Sequence, residues 1–132
     1  MIKGIAHVAI AVKNIDEAMD QYSKAFGFKK VPVVTVADQG VKSAVIPVGN
    51  SHIELIESID PAGGVAKFIE TRGEGIHHVS FEVDNVDDAL NSLAAKGVQL
   101  IDKKARKGTT GLIGFLHPKS TRGVLIELSQ ED

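Results

Sequence analysis

Apolar and polar positions alternate from Ile5 to Val12 and again from Val79 to Val83, the period-two signature of a strand with one buried face. Each run is followed by an asparagine, Asn14 or Asn85, with acidic residues at 16–17 and 87–88. That order predicts a helix with an Asn N-cap and carboxylates in its first turn, over about 15–26 and 86–96. Gly27 and Gly97 are suitable residues to end them. Three β-rich segments are expected after each helix: 28–36, 41–48 and 51–57 in the first half, and 98–105, 112–117 and 123–128 in the second. Residues 64–72 read as a short helix joining the halves.

The two halves are copies. Residues 4–18 read GIAHVAIAVKNIDEA and residues 75–89 read GIHHVSFEVDNVDDA; eight of the 15 pairs are identical at an offset of 71. Ile53-Glu54-Leu55 matches Ile126-Glu127-Leu128 at an offset of 73. The predicted plan is therefore βαβββ, twice, in one domain of residues 1–132, with module borders near 1–63 and 64–132.

The repeat sharpens the chemistry. Val8, Ile10 and Val12 share one strand face, leaving His7 on the other; Val79, Phe81 and Val83 share a face, leaving His78, Ser80 and Glu82 opposite. Glu54 is flanked by Ile53 and Leu55, and Glu127 by Ile126 and Leu128. His7, Glu54, His78 and Glu127 thus all lie opposite an aliphatic face that must pack on helices. A twofold arrangement of the halves would bring the four together. Taken singly, a strand histidine is an ordinary structural residue and a strand glutamate an ordinary exposed one; their recurrence at equivalent positions favours a shared role. Two imidazoles and two carboxylates suit one divalent ion such as Mn, Fe, Co, Ni or Zn, with room left for exchangeable positions. His77 has the opposite parity to His78, and neither it nor His52 is read as a ligand. His117 precedes Pro118 and either lines a cleft or packs, the latter being favoured.

Composition narrows the alternatives. The chain has 132 residues, 43% of them hydrophobic and 24% charged, enough for a soluble folded domain. A net charge of −2 argues against broad binding to nucleic acid or anionic membrane. There is no cysteine, so disulfides and thiolate metal sites are excluded. No apolar run approaches the ~20 residues that span a bilayer, and Met1-Ile2-Lys3-Gly4 opens no signal-peptide core, so a cytoplasmic protein is the default expectation. The run Lys103, Lys104, Arg106, Lys107 leads into Gly108-Thr109-Thr110-Gly111, a basic glycine-containing loop able to meet phosphate or simply to be solvated.

The duplicated βαβββ plan and the His…Glu…His…Glu order resemble the vicinal oxygen chelate superfamily, the glyoxalase, bleomycin-resistance and dioxygenase-like proteins. Three segments are similar to its methylmalonyl-CoA epimerases: Asp38 to Val41, Gly73 to Val79, and Phe115 to Ser120 leading to Gly123 through Leu128. The resemblance implies an α+β fold of tandem βαβββ modules forming a curved, mixed, eight-stranded sheet around a metal cleft. It implies that His7, Glu54, His78 and Glu127 hold one divalent ion, and that Glu127 is a catalytic base in the inversion of C2 of methylmalonyl-CoA through a metal-stabilised enolate. It also implies an acyl-CoA substrate, with Arg106 and Lys107 at the CoA phosphates, and a homodimer. Some members carry a second Glu where this chain has Ser43, which leaves the second acid/base group open. Rival readings are a glyoxalase-I-type lyase, although an Asp-Pro-Asp-Gly-like run before the last Glu is missing; an extradiol dioxygenase, which a fourth carboxylate would crowd; and a metal-free binding protein of the same fold.

Overall fold

Small and branched apolar residues in alternation produce the strands, and Asn14 and Asn85 each turn the chain into a helix. The computed structural model describes residues 1–131. The elements run β1 (Ile2–Ala11), α1 (Ile15–Phe26), β2 (Val34–Val36), β3 (Val41–Val48), β4 (Ser51–Ser58), α2 (Gly64–Arg72), β5 (Gly75–Val83), α3 (Val86–Ala95), β6 (Arg106–Lys107), β7 (Gly111–Leu116) and β8 (Ile126–Glu131). The eight strands lie in the order β2-β3-β4-β1-β5-β8-β7-β6. The sheet is mixed: β1 with β4 and β5 with β8 are parallel, whereas β2–β3, β3–β4, β6–β7 and β7–β8 are antiparallel. The expected α+β fold of eight strands is what the chain adopts. No helix of the described residues is long and apolar enough to cross a membrane.

Residues 7–77 form one compact unit. Val12, Ile15, Met19, Ala44, Ile46 and Leu55 make its core, where α1 covers one face of β3 and β4. On the other face Ala9, Ala11 and Ile56 pack against Val65, Phe68 and Ile69 of α2. Alanines at 9 and 11 leave room for that helix. Residues 1–6 and 78–131 form the second unit. Its core holds Val83, Val86, Leu90, Leu116, Ile126 and Leu128. Gly114 admits α3 closely: a Cβ there would stand 2.9 Å from Leu90 Cδ1. Burying such aliphatic side chains contributes roughly 1.5–3 kcal/mol each.

Each long helix is tied at its N-terminus by two side chains from different elements. Asn14 Oδ1 accepts the Glu17 N–H at 3.0 Å and Glu57 Oε1 accepts the Ile15 N–H at 2.8 Å. In the copy, Asn85 Oδ1 accepts from Asp88 at 2.9 Å and Gln130 Oε1 from Val86 at 2.7 Å. The cap anchors the turn and the strand residue anchors the helix to the sheet, so two orphan N–H groups of each helix find acceptors. Gly27 closes α1 in the left-handed region at φ 75°. On the exposed side of α1, Lys24 and Lys30 beside Asp20 hold its carboxyl down to about 2. A depressed carboxylate stabilises the fold above its ordinary value of 3.8 and loses that contribution as pH falls toward 2.

Two expected strands are shorter than the pattern suggests. Residues 28–33 form none; they are bound to α1 instead, with Ser23 Oγ donating to Phe28 O at 2.6 Å and the Val31 N–H reaching Met19 Sδ at 3.4 Å. Pro32 lacks the donor a ladder needs. Residues 98–105 contribute only a bridge from Leu100 to Leu116, and β6 forms at 106–107. There the N–H groups of Ile101 and Asp102 both reach Phe115 O, and Asp102 Oδ2 takes the Phe115 N–H at 2.8 Å, so a side chain replaces the ladder. The last strand starts at 126 rather than 123, because Pro118–Thr121 form a 3-10 turn closed by Arg122 and Gly123 at φ 60° and 90°. Asn14→Ala and Asn85→Ala are each expected to cost about 1 kcal/mol. Urea unfolding checks this, and because the two caps share no hydrogen-bond partner the double variant should show additive losses.

Candidate metal centre

Strand parity turns the same four residues away from the aliphatic clusters. In residues 7–77, Ile10, Val12, Ile53 and Leu55 join the core under α1. His7 and Glu54 point from the opposite face, with Ala9 directly across from Glu54 in the parallel β1–β4 pair. His7 Nε2 lies 3.2 Å from Glu54 Oε1. Glu54 is only 6% exposed, and its Oε2 accepts a 2.7 Å hydrogen bond from Ser43 Oγ on β3.

The second unit repeats the pairing with different neighbours. Val79, Phe81, Ile126 and Leu128 pack toward α3. His78 and Glu127, 5% and 4% exposed, face the other way, with His78 Nε2 3.7 Å from Glu127 Oε2. Next to them Ser80 Oγ donates to Ser129 Oγ at 3.0 Å, both buried. The Phe115 ring, directly across from Glu127 on β7, meets the His78 ring edge-on at 5.3 Å. Arg106 lies over that Phe115 ring at 5.5 Å and donates its Nε–H to Asp102 Oδ1 at 3.1 Å. A chain of contacts thus runs from Asp102 through Arg106 and Phe115 to His78.

His7, Glu54 and His78 each offer a ligand atom: two imidazole nitrogens and a carboxylate oxygen. Such a His–Glu–His group suggests a divalent metal site. Imidazole nitrogens and carboxylate oxygens are the donors that borderline divalent ions take. Buried carboxylates need a compensating positive charge or donors. The residues present therefore fit such an ion.

The remaining sequence candidates fall elsewhere. The His77 ring stands edge-on to Phe68 of α2 at 5.0 Å. His117 uses Nδ1 to accept the Lys119 N–H at 3.0 Å and caps the 3-10 turn. Arg106 and Lys107 form the short edge strand β6, both exposed. Three contributors escape a pattern reading: Ser43 against Glu54, the Ser80–Ser129 pair, and Asp102 under Arg106. The parity of Ser80 was visible beside His78; the cross-strand partners were not, because register decides them.

Residues 6–115 match the family model described as Glyoxalase/Bleomycin resistance protein/Dioxygenase superfamily. The chain is 36% identical to the mitochondrial methylmalonyl-CoA epimerase of Dictyostelium discoideum over 95% of its own length and 76% of that protein's. It is 34% identical to the ethylmalonyl-CoA/methylmalonyl-CoA epimerase of Cereibacter sphaeroides, over 98% of this chain and 99% of that one. A solved structure of a Streptomyces coelicolor methylmalonyl-CoA epimerase variant, in complex with 2-nitronate-propionyl-CoA, superposes with a TM-score of 0.95 at 32% identity, covering 99% of this chain and 96% of that one.

Removing Asp102 tests the contact chain in the second unit. Asp102→Ala strands the part-buried Phe115 N–H and releases Arg106, which should cost about 1–3 kcal/mol. Asp102→Asn keeps an acceptor and is expected to lose less. Chemical denaturation checks the ranking, and equal losses for the two substitutions would refute it.

Proposed function

The chain belongs to the Glyoxalase/Bleomycin resistance protein/Dioxygenase superfamily and is one of its epimerases, and we propose that its reaction is the metal-dependent inversion of C2 of methylmalonyl-CoA. The observation that carries this reading is relationship to named epimerases along nearly the whole chain, joined to a His–Glu–His donor group. His7, Glu54, His78 and Glu127 would hold one divalent ion of Co, Mn, Ni, Zn or Fe. When bound, such an ion supplies electrostatic stabilisation of negative charge developing on the substrate oxygens.

The chain's own groups then have definite tasks. C2 lies between a thioester and a carboxylate, so its proton is acidified by the thioester carbonyl. Glu127 accepts that proton; its carboxylate stands 3.7 Å from His78 Nε2 and is buried, where little water reaches it. Inversion needs reprotonation from the other face by a second group. Arg106 and Lys107 on β6 would meet the phosphates at the CoA end, as charged donors suit. The Streptomyces coelicolor relative's acyl-CoA analogue supports a substrate of this class. We further propose a homodimer in the cytoplasm.

The decisive measurement is deuterium entry at C2 of methylmalonyl-CoA in heavy water with metal-loaded protein. Exchange with inversion is expected. Faster exchange of ethylmalonyl-CoA would change the acyl group but not the reaction. Absence of exchange, together with rapid isomerisation of the methylglyoxal–glutathione hemithioacetal, would replace the epimerase reading with a glyoxalase one. Glu127→Gln should retain metal while exchange falls by about 10²–10⁴-fold. His7→Ala and His78→Ala should lower metal content and exchange together. Light scattering should give twice the chain mass of 14.0 kDa.

A further inference from the structure

The two units present the same donors but different neighbours, and the difference is concentrated at one carboxylate. Glu54 has its two oxygens divided: Oε1 faces His7 Nε2 at 3.2 Å and Oε2 accepts from Ser43 Oγ at 2.7 Å. Ser43 is 1% exposed, so water does not compete for its hydroxyl. The register makes this contact diagonal. Val45 is directly across from Glu54 and Ser43 is across from Ile56. The corresponding place in the second unit is occupied by Ile113, which is across from Ser129 while Phe115 faces Glu127. Glu127 therefore has an apolar side chain where Glu54 has a hydroxyl.

We propose that Ser43 is a positioning residue that presents Glu54 to the metal through Oε1 alone. The inference rests on the metal-binding reading above. A carboxylate on a flexible stem can bind an ion through one oxygen or both, and rotation about its terminal torsion exchanges the modes. A short hydrogen bond to an ionised acceptor is roughly twice as strong as a neutral one. Made from a buried serine on the adjacent strand, it holds Oε2 against that rotation. It also fixes where Oε1 sits relative to His7, so the two first-unit ligands arrive already oriented. Groups that orient metal ligands in this way typically carry about 10–100-fold in metal affinity.

The test uses Co²⁺ alone, added to the metal-stripped full chain, and reads affinity by calorimetry and the visible d–d spectrum. Ser43→Ala is expected to weaken Co²⁺ binding by about 10–100-fold and to alter the d–d bands, with Ser43→Thr restoring both. In a Glu54→Gln background the Ser43→Ala change should add less than about 3-fold, because contacting residues couple. Wild-type affinity and spectrum in folded Ser43→Ala, or equal penalties in both backgrounds, would overturn the proposal. Should Ser43→Ala fail to fold, the wild type still decides it. Its metal-induced infrared difference spectrum should show a carboxylate pair of unidentate spacing that disappears in Glu54→Gln, and a bidentate spacing would overturn the inference. If the wild type takes up no Co²⁺, the metal-binding reading falls and this one with it; if it does and Ser43→Ala is indistinguishable, only this one falls.

Discussion

Each unit carries a carboxylate almost wholly removed from water, and much of the local design answers that constraint. An ionised carboxylate loses several kcal/mol of solvation on burial unless charge or hydrogen-bond donors replace the water. Glu54 and Glu127 are 6% and 4% exposed, and each has an imidazole nitrogen of its own unit within 4 Å. Strand alternation meets the constraint without weakening the core. The same period that sends Leu55 and Leu128 into their aliphatic clusters sends the neighbouring glutamates to the other face. Imidazole nitrogens and carboxylate oxygens are also the donors that borderline divalent ions take.

What surrounds each carboxylate has diverged between the copies. On the His7 face, Ala9, Ala11 and Ile56 form an apolar floor for α2. The equivalents in the second unit are polar: Ser80 and Ser129 bond to each other. In exchange, the hydroxyl stands beside Glu54 in one unit and the Phe115 ring beside His78 in the other. His78 is held by an aromatic edge whose ring is itself covered by Arg106. Duplication thus fixes which residue types meet the site, and divergence of their neighbours sets how each is oriented.

The parts legible in the sequence are those governed by local periodicity. Helix α1 at Ile15–Phe26, both asparagine caps, and the facing of His7, Glu54, His78 and Glu127 follow from spacing alone. The parts that were not legible depend on register and on side chains competing with the ladder. Residues 98–105 have strand-like composition, yet Asp102 takes the Phe115 N–H and confines the strand to Arg106–Lys107. Ser43 has no local signature at all; it matters because antiparallel pairing of β3 and β4 brings it diagonally to Glu54. Glu57 and Gln130 are equally silent in sequence, since only the folded sheet brings them to the first turn of α1 and α3.

Inversion at carbon asks for two proton carriers with opposite approaches, and the differing neighbours bear on which groups can serve. Glu54 turns one oxygen toward His7 and has the other tied to a buried hydroxyl, both within its own unit. Glu54 is suited to holding charge in place. Glu127 has His78 Nε2 at 3.7 Å and lies across from Phe115 in the strand register. Repetition of the module supplies matching His–Glu pairs, while proton transfer to opposite faces requires that the match be broken. In this chain the break lies at Ser43 beside Glu54 in one unit and at Phe115 beside His78 in the other.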